Sequence, residues 1–433
     1  MAERYFRPFE VGRRGKPDEH ETQIASELVA TLLEMDENVR CDLRVAGKYQ
    51  HGSPLVVLSG EVSRTVLGTP ELEDRLGDRV TAVYNEVHQT NYTPRNVTGV
   101  LRKMGDAFLR FIGLSRDIVR IDYGFKPQSD ALRVNSGNKK SGDSGNPIAV
   151  AYRQGPVHEG VQTHLPWERY LSVGIRDLID DIYQNDGIVP SAIAEASGVK
   201  ELKGLRADGK IGVNVVYDGA RLASIDKITI AAEHEESLSI DDLRYGLSKI
   251  VQAYISGHIT APVDFTHEQI VINGADAWHV GGWQTDEGTR EAKSYRDGFG
   301  ADGVVEDSFS GEDPSKPSGT GTYLARYIAV QVVSNGLADF AKVTLDYTIG
   351  RKQVGVYIET RGTETIPVDD IERWVRDSVD LSLSSTIERF GLKNSNIYQG
   401  FVRDSDFFQD VGLPWNKAND VEYVAQMDRA AGE

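Results

Sequence analysis

Residues 210–232, KIGVNVVYDGARLASIDKITIAA, read as two strands joined by a tight turn. Along the first strand, Lys210 to Tyr217, the apolar residues Ile211, Val213 and Val215 alternate with their neighbours, so one face needs a covering layer. The second strand runs from Ala223 to Ala232, and Asp218-Gly219 at the junction suits a hairpin turn. Helical periodicity flanks the hairpin on both sides, from Trp167 to Tyr183 and from Ile240 to Ser256.

Working outward, the same order occurs twice more. Ile24, Leu28, Leu32 and Met35 mark one face of a helix from Thr22 to Met35. Extended runs follow at Val39 to Val45 and Pro54 to Val62, then a helix from Val97 to Ile112 carrying Leu101, Met104 and Phe108. The third pass has a helix from Thr322 to Asn335, strands Lys342 to Ile349 and Gln353 to Thr360, and a closing helix from Asp369 to Ser378. First helices begin near 22, 167 and 322, and those intervals are close to a third of 433 residues. The expected fold is α+β, an internal triplication of helix–hairpin–helix units with helices outside three sheets. The units span 1–125, 146–281 and 318–433, with loops at 126–145 and 282–317. The stretch from Lys126 to Gly145 reads as a mobile loop, and the polar tail after Trp415 reads as frayed.

Charge and composition remove several classes of function. Lys and Arg total 48 against 66 Asp and Glu, a net charge of −18 that repels nucleic-acid phosphates and anionic lipid. No stretch approaches 18 uncharged apolar residues, and Met1 to Arg14 lacks the apolar core of a signal peptide, so the expected compartment is the cytoplasm. Cys41 is the single cysteine, which excludes an intrachain disulfide and cysteine-built zinc or iron–sulfur sites. Gly298 to Gly303 has the spacing of a dinucleotide fingerprint, but no apolar strand precedes it and no helix follows. Gly204 to Lys210 resembles a P-loop, yet Ile211 stands where Ser or Thr is needed; a turn with Lys210 at a strand start is expected instead. The nine histidines form no paired metal-ligand spacing, and His234 reads as a solvated loop residue.

The run Phe309-Ser-Gly-Glu-Asp-Pro-Ser-Lys316 is followed by Tyr323-Leu-Ala-Arg-Tyr327, Gly336-Leu-Ala-Asp339, Tyr347-Thr-Ile-Gly350 and Glu359-Thr-Arg-Gly-Thr-Glu364. Together these segments resemble the S-adenosylmethionine synthetase (methionine adenosyltransferase) family, which reads F-S-G-K-D-P-S-K at the first of them. Weaker matches fall in family order: Gly15-Lys16-Pro17-Asp18 for G-H-P-D, Ser59-Gly60-Glu61 for G-G-E, and Gln128-Ser129 for the end of K-Q-S. Gly142-Asp143-Ser144-Gly145 resembles G-D-Q-G, Leu205 to Lys210 resembles L-R-P-D-x-K, and Gly281-Gly282 with Asp286 and Gly288 resembles a G-G-P-x-G-D-x-G turn.

The resemblance implies three similar units about a pseudo-threefold axis and a homodimer, or a dimer of dimers, with active sites at the subunit interface. It implies attack of the methionine sulfur on the 5′ carbon of ATP, with tripolyphosphate leaving. On that basis Lys16, Lys210, Lys293 and Lys316 are the catalytic, phosphate-neutralising residues. Asp143, Asp208, Trp278, Ser308 and Phe309 hold the nucleotide, and Glu61, Gln128 and Asp286 orient methionine. Asp18 binds magnesium, and Asp42, at a family glutamate, binds potassium.

Several positions depart from that pattern. Lys16 replaces the family histidine, Glu19 the next lysine, Glu312 the lysine of F-S-G-K, Ser318 a metal-binding aspartate, and Ala292 an arginine, with Arg290 nearby. A lysine-to-glutamate change beside a phosphate shifts the interaction by several kcal/mol at an effective dielectric of about 20. Three readings follow: a divergent methionine adenosyltransferase, a nucleotide site with another acceptor or a hydrolytic reaction, and a non-catalytic paralogue that binds a partner synthetase.

Overall fold

The computed structural model describes residues 4–50, 52–96, 118–128, 140–141, 143–259, 263–289, 298–304, 310–403 and 407–424. Its first third contains β1 (Arg4–Gly12), α1 (Pro17–Met35), β2 (Cys41–Gln50), β3 (Ser53–Val62), α2 (Leu72–His88), β4 (Thr93–Asn96) and β5 (Ile118–Pro127). The middle contains β6 (Ile148–Tyr152), α3 (Trp167–Gln184), β7 (Leu205–Asp218), β8 (Arg221–His234), α4 (Ile240–His258) and β9 (Ile270–Ile272). The last part contains β10 (Gly288–Thr289), α5 (Pro317–Ser334), β11 (Phe340–Asp346), β12 (Gly355–Glu359) and α6 (Val368–Ser378).

The hairpin at Asp218-Gly219 forms, with Gly219 at φ +61°, a left-handed conformation that glycine adopts without a Cβ clash. Ile211, Val213, Val215 and Tyr217 are fully buried along one face of β7. That face is covered by α3, and the neighbouring strand β1 packs under the same helix. Strands are ordered β1-β7-β8-β9 in this sheet, β10-β2-β3-β5-β4 in a second, and β12-β11-β6 in a third. α1 packs on β2, and α5 packs on β6 and β11. The chain is α+β, with one long, largely buried helix against each sheet. Ile24, Leu28 and Leu32 of α1 are fully buried, each contributing about 1.5–3 kcal/mol of transfer free energy.

Three pairings join distant parts of the chain and place the site. β1 runs antiparallel to β7, with Gly12 opposite Lys210. β10 pairs with β2 through Gly288–Gly47 and Thr289–Ala46. β6 pairs with β11, and Gly145 exchanges backbone hydrogen bonds with Tyr347 just beyond it.

Several expectations need correction. α1 starts at Pro17 and not Thr22, because proline fits the first helical turn, where Asp18 and Glu19 also favour the positive end of the helix dipole. α2 went unread, although Leu72, Leu76, Val80, Val83 and Val87 lie on its buried face. The helix expected at 97–112 lies outside the described residues. Lys210 is not at a strand start: β7 begins at Leu205. His234 is fully buried at the end of β8 and not solvated, since the ladder with β7 continues to Leu205. The tail is tied down as far as residue 424: Gln331 of α5 accepts the amides of Asp420 and Val421, and Trp415 is buried against Tyr323. The 126–145 stretch is ordered at its described ends, where β5 reaches Pro127, Gln128 is buried and Ser141 bonds the backbone of Arg351.

Candidate functional site

Gly12 to Lys16 runs beside Ala207 to Gly209, through Arg13 N–H to Gly209 O at 2.9 Å and Gly15 N–H to Ala207 O at 3.2 Å. A Cβ on Gly15 would lie 2.7 Å from the Ala207 carbonyl carbon, so this approach requires glycine. The buried Arg13 locks the pair by donating from Nε to Asp180 Oδ1 of α3 at 2.7 Å. Lys16 therefore stands at the cap of α1, immediately before Pro17, with its Nζ 3.6 Å from Asp286 Oδ2. Asp18, in the first turn of the helix, accepts the Thr289 amide at 3.3 Å. Asp208 projects from β7 beneath the Gly281–Gly282 turn, accepting the amides of Gly282 at 2.7 Å and Gly209 at 2.6 Å. Burial raises the Asp208 pKa, while those amides and the Lys16 charge oppose the shift. Lys210 Nζ pairs with Glu10 Oε1 at 2.8 Å. Thus Lys16, Asp18, Asp208 and Asp286 come together from three distant segments, with Lys210 two residues beyond Asp208 along β7. Trp278 is half-buried nearby in sequence, its Nε1 donating to Val280 O and its carbonyl accepting the His234 amide.

A second cluster forms around Lys316, which caps α5 immediately before Pro317. Its Nζ is 3.1 Å from Asp143 Oδ2 and 3.6 Å from Asp42 Oδ2. Burial acts to lower the Lys316 pKa, but Asp42, Glu312 and Asp143 outweigh it and the net shift is upward. Glu312 bridges Asp42 through the backbone and accepts the hydroxyl of Ser318. Asp313 pins this loop to β2 by accepting the Cys41 amide at 2.9 Å and approaching Arg40 at 3.3 Å. Glu61 lies opposite Asp42 in the β2–β3 register, and the Gln128 amide reaches Val62 O one residue further. Along β2 the two clusters are separated by four residues, from Asp42 to Ala46, or about 13 Å. Lys293, Ser308, Phe309, Arg290 and Ala292 lie outside the described residues.

Two carboxylates of the site carried no sequence signal of their own. Glu233 accepts the amides of Asp208 at 3.2 Å and Gly281 at 2.9 Å, and it joins the turn to β8. It sits in a Glu-His-Glu-Glu run that reads as solvated, and the alternation of Ile228, Ile230 and Ala232 would place it on the opposite face; a register shift between Ala232 and His234 accompanies its burial. Glu21, fully buried, accepts Trp283 Nε1 at 2.6 Å and holds the 281–289 turn against α1. Gly47 and Gly288 make room for it, since a Cβ on either would come within 2.4 Å of its carboxylate oxygens. Burial drives the Glu21 pKa well above its usual value, with the hydrogen bond from Trp283 Nε1 opposing the shift.

For metals, no group of three or more His, Cys, Asp or Glu among the described residues could hold an ion. Asp18 nevertheless fits magnesium, which commonly takes one or two carboxylates and completes its shell with substrate phosphates and water. Asp42 does not fit potassium: it faces Lys316 at 3.6 Å and Arg44 at 3.5 Å, and those two cations already meet its charge. No helix among the described residues is long and apolar enough to cross a membrane.

Residues 280–417 match the family described as "S-adenosylmethionine synthetase, C-terminal domain". The S-adenosylmethionine synthase of Corynebacterium urealyticum is 33% identical over 239 residues, covering 53% of this chain and 57% of that protein. That of Oenococcus oeni is 32% identical over 227 residues, again 57% of its length, so these matches span little more than half of those relatives. The S-adenosylmethionine synthase of Thermosynechococcus vestitus aligns over 99% of both chains at 25% identity. With the motifs in family order along that alignment, the chain is similar to S-adenosylmethionine synthases over almost its whole length, and most similar in its C-terminal third.

Proposed function

We propose that the chain is a divergent methionine adenosyltransferase that moves the adenosyl group of ATP to the sulfur of methionine. The observation that carries this reading is the convergence of Lys16, Asp18, Asp208 and Asp286 at the start of α1, with Lys210 beside them. In the reaction a sulfur lone pair forms the S–C5′ bond as the C5′–O5′ bond breaks. The bonding electrons leave with tripolyphosphate, and the sulfur becomes a sulfonium. Little covalent help is needed; the barrier is lowered by holding the reactants in line and by placing cations beside the departing oxygens. Lys16, in the position of the family histidine, and Lys210 supply that charge, and Lys293 is assigned to the same task. Asp208 and Asp143 hold the ribose side, with Trp278, Ser308 and Phe309 around the base. Glu61, Gln128 and Asp286 orient the amino acid. Magnesium, held at Asp18 with the nucleotide phosphates, neutralises the triphosphate when bound.

The separation of the two clusters by about 13 Å along one strand supports a site assembled between two copies. In that arrangement the Lys16 half of one protomer faces the Lys316 half of its partner, in a homodimer of three-unit protomers with pseudo-threefold symmetry. A monomer in light scattering would count against shared sites.

One observation favours a second reading. Glu312 and Ser318 occupy positions where the family has a lysine and a metal-binding aspartate, and three carboxylates surround Lys316. That electrostatic setting supports a nucleotide site whose acceptor is not methionine, or one that releases tripolyphosphate without hydrolysing it. Incubation with ATP, methionine and magnesium, followed by chromatography, is expected to show an adenosylated sulfonium and tripolyphosphate. Product with other acceptors but not methionine would select the second reading. No product with any divalent ion and no nucleotide binding by calorimetry would reject both in favour of a non-catalytic partner of another synthetase.

A further inference from the structure

The Gly281–Gln284 turn has a second side, and it closes a cleft of about 540 Å³ that none of Lys16, Asp18, Lys210, Trp278 or Asp286 lines. We propose that this cleft, between α2, the end of α3 and the start of β7, binds an uncharged planar heteroaromatic ligand of the nucleobase or nucleoside class. The inference goes beyond the adenosyl-transfer reading and does not depend on it.

Five aromatic side chains contribute to the wall, Tyr49, Tyr84, His88, Tyr183 and Trp283, among polar groups that make up the larger part of its surface. Tyr84, His88 and Trp283 are ordered by one another. Tyr84 stacks on Trp283 with centroids 5.4 Å apart and planes 24° apart, and His88 lies 4.5 Å from Tyr84. The buried His20 stacks on Trp283 at 4.6 Å and also lies 5.7 Å from Tyr84 and 5.1 Å from His88, so the four rings form one cluster. That buried cluster backs the cleft, and the surface on which a base could stack comes from the half-buried Tyr183 and the exposed Tyr49, rings that lose little entropy on binding. The volume lies within the usual range for small-ligand clefts, roughly 300–1,000 Å³.

Polar groups narrow the ligand class. Burial lowers the His88 pKa to about 4, so its ring is neutral at pH 7 and offers one N–H donor and one bare nitrogen acceptor. A base edge carries the same mixed pattern of donors and acceptors. Charge on the rim comes from Lys203 and Arg206 against Asp186, Glu233 and Glu235, three carboxylates facing two cations. Arg206 lies 3.8 Å from Glu233, and Lys203 lies 3.4 Å from Glu201. A di- or triphosphate would find no excess of positive charge there, which favours the nucleoside over the nucleotide. A bound ligand would also touch the turn whose other contacts are Asp208, through the Gly282 amide, and Glu21, through the Trp283 indole.

The test is titration of the full-length protein with adenosine and guanosine, followed by calorimetry and by quenching of tryptophan fluorescence. Saturable binding of at least one nucleoside is expected, weakened tenfold or more by His88→Leu and by Tyr183→Ala. Affinity should be unchanged in Asp18→Asn and Trp278→Ala, which alter the adenosyl-transfer site, and melting temperatures will show which variants are folded. If Tyr183→Ala fails to fold, His88→Leu against His88→Gln carries the test, because glutamine keeps a donor and an acceptor and should retain more affinity. Absence of saturable binding at millimolar nucleoside would overturn the proposal. So would binding that survives folded His88 and Tyr183 variants, or binding lost only in the Asp18 and Trp278 variants.

Discussion

Lys16 and Lys316 stand in matching places and meet opposite fates. Each is the extended residue before a proline that opens a long buried helix, with φ, ψ of −66°, 133° at Lys16 and −77°, 134° at Lys316. Each therefore adds a positive charge to a helix end that already attracts anions. At α1 the ammonium, 12% exposed, pairs with Asp286, whose side chain is 60% exposed, and its charge also acts on Asp208. At α5 the ammonium is 14% exposed and meets Asp143, Asp42 and Glu312 together. The first helix end surrounds its cation with fewer carboxylates, so an incoming anion meets less competition there. The second already holds its anions as part of the fold, so a polyphosphate arriving there must displace or outcompete carboxylates.

Removing each lysine separates the two most strongly. In Lys316→Met the three carboxylates lose their shared cation in a half-buried space, and unfolding free energy is expected to fall by about 2–3 kcal/mol in urea denaturation. The value is below that of a fully buried pair because Asp143 remains 40% exposed. Lys16→Met should cost less, about 1 kcal/mol, since the partner carboxylate of Asp286 is 60% exposed and screened by water. Equal losses would mean that the cage around Lys316 is not a structural element.

The α1 end carries its own hidden charge at Glu21. Its folded pKa is raised, so the folded state keeps a proton that the unfolded chain releases as pH rises past the ordinary value of 4.5. Stability contributed by this group therefore falls with increasing pH above that point, at a limiting slope of ~1.4 kcal/mol per unit. Glu21→Gln keeps an acceptor for Trp283 without titrating. Denaturation from pH 5 to pH 8 should show the variant gaining on the wild type as pH rises. Parallel curves would show that Glu21 is ionised in the fold.

Much of this architecture was legible in local pattern, and most of what was missed is non-local. Alternation at Ile211, Val213 and Val215 with the Asp218-Gly219 turn is a short-range signal, and the hairpin formed as read. α2 carries a signal of the same local kind, with Leu72, Leu76, Val80, Val83 and Val87 at helical spacing. No periodicity, by contrast, could say that β1 leaves its neighbours to pair with β7, or that Gly288–Thr289 pairs with β2, because such choices depend on what packs beneath. The site divides the same way. Lys16, Asp18, Asp208 and Asp286 were visible as motifs, but their partners were not. Asp286 lies 270 residues from Lys16, and Lys316 lies 173 from Asp143. Glu21 and Glu233 look like ordinary surface glutamates until the fold buries them.

Reversing the charge at Glu312 sharpens the contrast from the other side. Glu312→Lys restores the family residue and leaves Lys316 with Asp42 and Asp143, two cations facing two carboxylates in place of one facing three. Tripolyphosphate, titrated into the protein by calorimetry, should bind at least tenfold more tightly to the variant at low ionic strength. The gain should shrink with added salt, as expected for partly exposed charges. Unchanged affinity would place the leaving-group site away from the α5 end.

The smallest effect is expected at Lys210. Its pair with Glu10 is short, 2.8 Å, but both side chains are more than a third exposed, 39% and 50%. An exposed pair of this kind contributes only about 0.2–1 kcal/mol, because water screens it and two long side chains lose freedom in forming it. Lys210→Met should therefore leave the denaturation midpoint almost unmoved. ATP binding should nevertheless weaken several-fold, since Lys210 can turn from Glu10 to a phosphate at little cost, whereas Lys316 cannot leave its three carboxylates without uncovering them. The informative quantity is the ratio of the two effects. A variant that keeps its stability and loses nucleotide affinity marks a cation held in reserve for a ligand, and one that loses both together marks a cation committed to the fold.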